Sequence, residues 1–212
     1  MKLKVCGLNN PENILNISAL MPDYVGFIFY KKSKRYISVV MDGKILAKIP
    51  ESVKKVGVFV NSPIDEVIEN YYRYKLDYVQ LHGDEDHVYC ARLYLRKIPV
   101  IKAFKLDTWF NFRQLEVFIP FCLFFLFDKA GDLPGGNGEK FSWEILKDYN
   151  YKLPFFLSGG IGPEDINQIM ELHNEMLYAI DINSKFELKP GLKDVRKVNV
   201  FMNKLKLAQV NL

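Results

Sequence analysis

Two residues in this chain could trade protons with a small molecule. Cys6 ends the apolar run Leu3–Cys6, and Asp128 follows Leu123–Phe124–Phe125–Leu126–Phe127 directly. An ionised thiol is a base. A carboxyl group beside so much apolar surface is expected to be desolvated, which raises its pKa and keeps it protonated as an acid. Each has a plainer reading: a small buried cysteine before the turn residue Gly7, and an aspartate that caps the next loop. Around them stand groups suited to holding an anion. Arg35, in Tyr30–Lys31–Lys32–Ser33–Lys34–Arg35–Tyr36, offers a fork for a carboxylate; the alternative is a solvated basic loop. The turn Ser158–Gly159–Gly160–Ile161–Gly162 has backbone N–H groups suited to phosphate, and Asp181–Ile182–Asn183–Ser184 supplies a second loop. The glycines of Gly131–Gly138, among them Gly135, Gly136 and Gly138, let backbone approach a ligand closely. Gln80 and His82 alternate with apolar neighbours, as site residues or satisfied core polar groups would.

Such residues need a scaffold that brings distant segments to one place. A recurring unit supplies it: a short β-branched or aromatic run, a polar turn, then a helical stretch. The strand expectations are Leu3–Cys6, Tyr24–Phe29, Lys55–Val60, Tyr78–Leu81, Val100–Phe104, Leu123–Phe127, Pro154–Leu157 and Tyr178–Asp181. Helices are expected at Pro11–Leu20 after Asn10, Pro63–Tyr72 after Ser62, Glu85–Arg96 after Asp84, and Trp109–Phe118 after Thr108. Others are expected at Trp143–Tyr149 after Ser142, Pro163–His173 after Gly162, and Lys193–Lys206, with Gly43–Ile49 the weakest. Alternation of this kind makes a parallel sheet with helical crossovers. Eight units in so short a chain predict an α/β fold closed into a single eight-stranded parallel barrel, spanning residues 1–212 as one catalytic domain. An open doubly wound sheet is the alternative, but Cys6–Gly7–Leu8–Asn9–Asn10 is not the glycine-rich turn it would want. In a barrel, the ends of strands and the loops after them carry the chemistry, with phosphate often held after strands seven and eight. The residues above fall there.

The bulk numbers exclude other classes. The formal net charge is +4 over 212 residues, with no dense basic run interleaved with aromatics, which argues against a nucleic-acid partner. The most apolar stretch, Val117–Phe127, contains Pro120 and is too short to span a membrane. Cys6, Cys90 and Cys122 are odd in number and widely spaced, which fits a reducing, cytoplasmic setting better than a disulfide framework. His82, His87 and His173 have no metal-site spacing relative to the cysteines, so no metal is expected.

Taken in order, these motifs resemble those of the phosphoribosylanthranilate isomerase family of tryptophan biosynthesis, over nearly the whole chain. The matching blocks are Lys4–Val5–Cys6–Gly7; Asp23–Phe29 with Ser33–Lys34–Arg35–Tyr36–Ile37; Val56–Asn61; and Val79–Gln80–Leu81–His82–Gly83. Asp128 follows, then Gly135–Gly136–Asn137–Gly138 with Phe141 and Trp143. The series ends with Leu157–Ser158–Gly159–Gly160 and Asp181–Ile182–Asn183–Ser184, then Glu187, Pro190–Gly191 and Lys193–Asp194. The resemblance implies an Amadori rearrangement of a phosphorylated small molecule without metal or cofactor, by a monomer or homodimer. It implies Cys6 as general base, Asp128 as general acid and Arg35 on the anthranilate carboxylate. Gln80, His82, Gly136, Gly138, Gly159, Gly160, Asp181, Asn183 and Ser184 are the expected substrate-binding residues. The chain departs from the family pattern at Glu139 and Lys140, and at Asn183–Ser184–Lys185, where Ser-Ser-Gly is usual. Lys185 either adds charge beside the phosphate or, if glycine dihedrals are needed there, removes backbone donors.

Rival readings remain. An aldolase-like barrel would want a mouth-facing lysine, for which Lys102 is the candidate. An epimerase would want metal-binding His and Asp. A non-catalytic phosphometabolite-binding protein would have no use for the Cys6 and Asp128 pair.

Overall fold

The computed structural model of the chain describes residues 1–37, 43–129 and 143–210. Eight parallel strands close on themselves: β1 Lys2–Val5, β2 Tyr24–Ile28, β3 Lys54–Phe59, β4 Tyr78–Leu81, β5 Val100–Leu106, β6 Phe124–Lys129, β7 Phe155–Leu157 and β8 Leu177–Ile182. Each lies within two residues of its expected range. Closure is made by β8 pairing back with β1, Asp181 opposite Lys4 and Ile182 opposite Val5. That pairing excludes the open-sheet alternative.

The helices follow expectation less closely. Asn10 caps α1 (Pro11–Ala19), its side chain accepting from the Asn13 N–H. The next is α2 (Gly43–Leu46), a single turn. At α3 (Ile64–Arg73) the cap position is Pro63 rather than Ser62, with no side-chain cap bond. At α4 (His87–Tyr94) the cap is Asp86 rather than Asp84, accepting from Tyr89 N–H. The expected helix over Trp109–Phe118 is instead two 3-10 turns, Phe112–Leu115 and Ile119–Phe121. Trp143–Asp148 is also 3-10, and the seventh crossover keeps only α5 (Ile166–Met170). The last helix, α6 (Val195–Val210), begins two residues late. Lys193 belongs to a hairpin of β9 (Glu187–Lys189) and β10 (Leu192–Lys193).

Strand parity sorts the core into two compartments. On β6, Phe125 and Phe127 pack outward under the helices with Val25, Phe27, Leu81 and Leu157. Phe124 and Leu126 point into the barrel with Tyr24, Val56, Ile101, Ala103, Phe156 and Ala179. The N-terminal end of the barrel has an aromatic floor: Tyr24 meets Tyr78 at 5.7 Å between ring centroids, and Phe124 stacks on Tyr178 at 4.8 Å. The floor is packed, so a ligand can enter only at the opposite end.

Parity also decides Lys102. Ile101 and Ala103 point inward, so Lys102 faces outward and is unsuited to a Schiff base at the mouth. Its Nζ donates to the Gly83 carbonyl at 2.7 Å and to Glu85 Oε2 at 3.1 Å; both side chains are buried. Glu85 also accepts from the N–H groups of Asn61 and Gly83, pinning the loops after β3 and β4. Removing one partner of a buried ion pair strands the other. Lys102→Met is therefore expected to cost about 3–5 kcal/mol in urea unfolding.

Candidate active site

At the barrel mouth, a buried cation organises the rest. Lys4 and Cys6 share the inner phase of β1 and its extension, and Cys6 N–H still donates to the Ile182 carbonyl at 2.9 Å. Lys4 has no exposed surface. Its Nζ donates to Gln80 Oε1 and to Asp181 Oδ2, each at 2.8 Å, and it interacts electrostatically with the Cys6 thiol. Burial opposes the ammonium, but Asp181 and Cys6 outweigh it and raise the lysine above its ordinary value. Lys4 thus remains charged inside an otherwise apolar barrel.

This bond fixes the next ones. Lysine only donates, so Gln80 must turn its oxygen toward Lys4 and its amide nitrogen toward His82. Gln80 Nε2 lies 2.8 Å from His82 Nδ1, which must accept. In neutral His82 the proton then sits on Nε2, which donates to Asp128 Oδ2 at 3.1 Å. Asp128 therefore does not lie in apolar surroundings as expected from its neighbours in sequence. It continues the inward phase of Phe124 and Leu126, its side chain is 27% exposed, and it accepts from a histidine. The apolar residues beside it in sequence, Phe125 and Phe127, point the other way.

Cys6 is buried too. Burial pushes its thiol up; Lys4 pulls it down, Asp181 adds to the rise and Lys193 opposes it, with the net direction upward. Burial likewise raises Asp181 against the pull of Lys4. Asp181 Oδ1 is buried and has no hydrogen-bond partner among the described residues. It lies on a cavity of about 160 Å³ shared with Asp128, Ser158, Gly159, Gly160 and Ser184. A buried, unpaired acceptor in a pocket calls for a ligand donor.

The pocket's far wall is backbone. Gly159 has φ +95, and a Cβ there would strike the backbone of Lys129, so only glycine fits. Among the described residues, no hydrogen bond takes up the N–H groups of Gly159, Gly160 or Ser184. Lys185 lies in the 3-10 turn Ser184–Phe186 without a left-handed φ, so that backbone does not require glycine there. Asn183 also lines the cavity, and its Oδ1 accepts from Lys193 Nζ at 2.6 Å. Arg35 reaches the same mouth and holds Glu187 with two bonds, Nε at 2.8 Å and Nη2 at 2.6 Å. Gly136 and Gly138 lie outside the described residues.

The sequence comparisons are consistent with this geometry. Residues 3–204 match the family model described as N-(5'-phosphoribosyl)anthranilate (PRA) isomerase. The chain belongs to the phosphoribosylanthranilate isomerase family. It is 40% identical to the N-(5'-phosphoribosyl)anthranilate isomerase of Parabacteroides distasonis over 97% of this chain and 93% of that one. The phosphoribosyl anthranilate isomerase of Thermus thermophilus superposes with a TM-score of 0.84 at 29% identity, covering 98% and 99% of the two chains. Another solved isomerase, in complex with reduced 1-(o-carboxyphenylamino)-1-deoxyribulose 5-phosphate, gives 0.79 at 31% identity, covering 97% and 98%.

Sequence reasoning gave no role to Lys4, Glu187 or Lys193, although all three stand inside motifs of the isomerase family. The signal for Lys4 was present: a charged residue on the inward phase of a strand, two positions before Cys6. Glu187 and Lys193 gave no comparable signal, because a short hairpin has no periodicity to expose them. The thiol's upward shift has a direct consequence. Cys6 alkylation by iodoacetamide, followed by peptide mass mapping, is expected to accelerate only above the ordinary cysteine range, because the thiolate gains population as pH rises through a raised pKa. Lys4→Met is expected to move that midpoint higher still.

Proposed function

We propose that Cys6 and Asp128 exchange the protons of the isomerase reaction, with Lys4 beside the thiol and His82 hydrogen-bonded to the carboxyl group. The rearrangement converts N-(5-phosphoribosyl)anthranilate into 1-(2-carboxyphenylamino)-1-deoxyribulose 5-phosphate. Asp128, protonated on the carboxyl oxygen that His82 does not take, delivers that proton to the ribose ring oxygen, the ring C–O bond breaks, and the anthranilate nitrogen becomes a cationic iminium. The C2 hydrogen is then acidic. Cys6 as thiolate removes it, the electron pair neutralises the iminium, and the resulting enolamine tautomerises to the ketone. Atoms balance, since each proton taken up is matched by one released, and no external oxidant or cofactor enters.

The observation that carries this reading is the hydrogen-bond chain Lys4–Gln80–His82–Asp128 across the mouth, with Cys6 in the field of Lys4 at its near end. It supports opposite roles at its two ends. At one end a buried ammonium offsets part of the cost of a thiolate, and the iminium adds positive charge when the base is needed. At the other, His82 donates to Oδ2 of the Asp128 carboxyl group and leaves the other oxygen to carry the proton for the substrate. Asp181, with its unpaired Oδ1, accepts from a substrate N–H or hydroxyl. Gly159, Gly160 and Ser184 offer N–H groups to the phosphate, with Lys185 adding charge nearby. Arg35 binds the anthranilate carboxylate. Gln80 works through its neighbours, holding His82, and Asn183 works through Lys193. We assign Gly136 and Gly138 to substrate binding on the family motif Gly135–Gly136–Asn137–Gly138. The whole chain acts as one catalytic unit.

Decay of phosphoribosylanthranilate fluorescence tests the reading. Wild type is expected to accelerate it, and Cys6→Ala and Asp128→Asn each to lose about 10³-fold in kcat. Folded wild type that leaves the decay unchanged would sink it. Lys4→Met is expected to lower kcat/KM and to move the ascending limb of its pH profile upward, because the thiol loses the cation that opposes its rise.

A further inference from the structure

We propose that Glu187 is a positioning residue that makes the site selective for a carboxylated aryl amine, by holding Arg35 edge-on so that its outer fork faces the ligand. The proposal rests on Arg35 as the carboxylate site, and adds what sets its geometry. A guanidinium has two edges that can each bind a carboxylate with two parallel bonds. Glu187 occupies the edge made by Nε and Nη2, at 2.8 and 2.6 Å. Among the described residues, no hydrogen bond from Arg35 uses Nη1, so the Nη1/Nη2 edge can accept a second carboxylate.

The clamp is itself braced. Glu187 is half-buried, and its Oε1 also accepts from Lys193 Nζ at 2.7 Å and from the Gly191 N–H at 3.1 Å. Burial works against the carboxylate, but Arg35, Lys193 and Gly191 outweigh it and hold the group below its ordinary value. Lys193 is fully buried and completes its bonds with the Asn183 side chain at 2.6 Å and the Asn183 carbonyl at 3.2 Å. Gly7 leaves the room this needs: a Cβ on it would lie 2.8 Å from Arg35 Cδ and 2.7 Å from Asn183 Oδ1.

The charge count gives the specificity. Arg35 and Lys193 meet one carboxylate; burial lowers Lys193 while Glu187 raises it, and with both protonated the cluster carries one unit of positive charge. The charged side chains beside it at the mouth, among the described residues, include Lys4, Asp181, Asp128 and Lys185. One aryl carboxylate neutralises the cluster. A ligand lacking it leaves the positive charge uncompensated, in a place half withdrawn from water. Removing Glu187 leaves more positive charge at the cluster, but Arg35 loses its anchor and pairs with a ligand carboxylate only after ordering its own side chain; the proposal requires this loss to outweigh the added charge.

The test compares two product analogues by isothermal calorimetry: reduced 1-(2-carboxyphenylamino)-1-deoxyribulose 5-phosphate and the same molecule with an unsubstituted anilino ring. In wild type the carboxylated analogue is expected to bind at least 30-fold tighter. In Glu187→Gln that ratio is expected to fall to about threefold or less, through weaker binding of the carboxylated analogue alone. A merely structural role would weaken both analogues together, and that result, or a preserved ratio, would overturn the proposal. Should thermal melting show Glu187→Gln unfolded, Glu187→Asp carries the same comparison, since a carboxylate one methylene shorter cannot reach both guanidinium nitrogens. A wild type that binds both analogues equally refutes Arg35 as the carboxylate site. A wild type that discriminates between them yet does not catalyse the rearrangement counts against the function and leaves the clamp standing.

Discussion

A single ammonium group buried inside the barrel mouth sets the arrangement around it. An unpaired charge in an apolar interior is costly, so Lys4 must be surrounded by acceptors. It finds them on two strands, Gln80 on β4 and Asp181 on β8, with the Cys6 thiol in its field just beyond β1. Because lysine cannot accept, each neighbour's orientation follows from its presence. Gln80 is turned, His82 is held in one tautomer, and Asp128 is reached as an acceptor at the far side. The proposed acid and base therefore sit in one electrostatic unit, and neither can be altered without disturbing the other.

The same economy appears at Glu187, where one carboxylate serves two cations, Arg35 and Lys193. Both clusters place charge where strand parity and tight glycine turns remove competing side chains. The packed aromatic floor at the N-terminal end of the barrel supports them from below. The proposed movement of protons between sulfur, carbon and oxygen needs fixed dipoles more than it needs space. The small cavity beside Asp181 fits that need.

Where sequence and structure part, the cause is consistent. The helix expected over Trp109–Phe118 breaks into 3-10 turns because Asn111 caps locally through the Arg113 N–H, and Pro120 leaves no room to continue. The helix expected from Lys193 starts later because Lys193 is taken by Asn183 and Glu187. Asp128 was expected to be desolvated by residues adjacent in sequence, yet adjacent residues on a strand face opposite ways. Lys102 was considered for a mouth position and lies outside the barrel for the same reason.

Strand count, strand order, and the clustering of Cys6, Arg35, His82, Asp128, Asp181 and the Gly159–Gly160 turn at strand ends were legible in the sequence. Each rests on local periodicity and turn chemistry, which a short window of residues carries by itself. The partners of those residues were not legible: Lys4 with Asp181, 177 positions apart, and Arg35 with Glu187, 152 positions apart. So too was the upward shift of the Cys6 thiol. Burial and charge pairing depend on which strands meet when the barrel closes, and closure is a property of the whole chain.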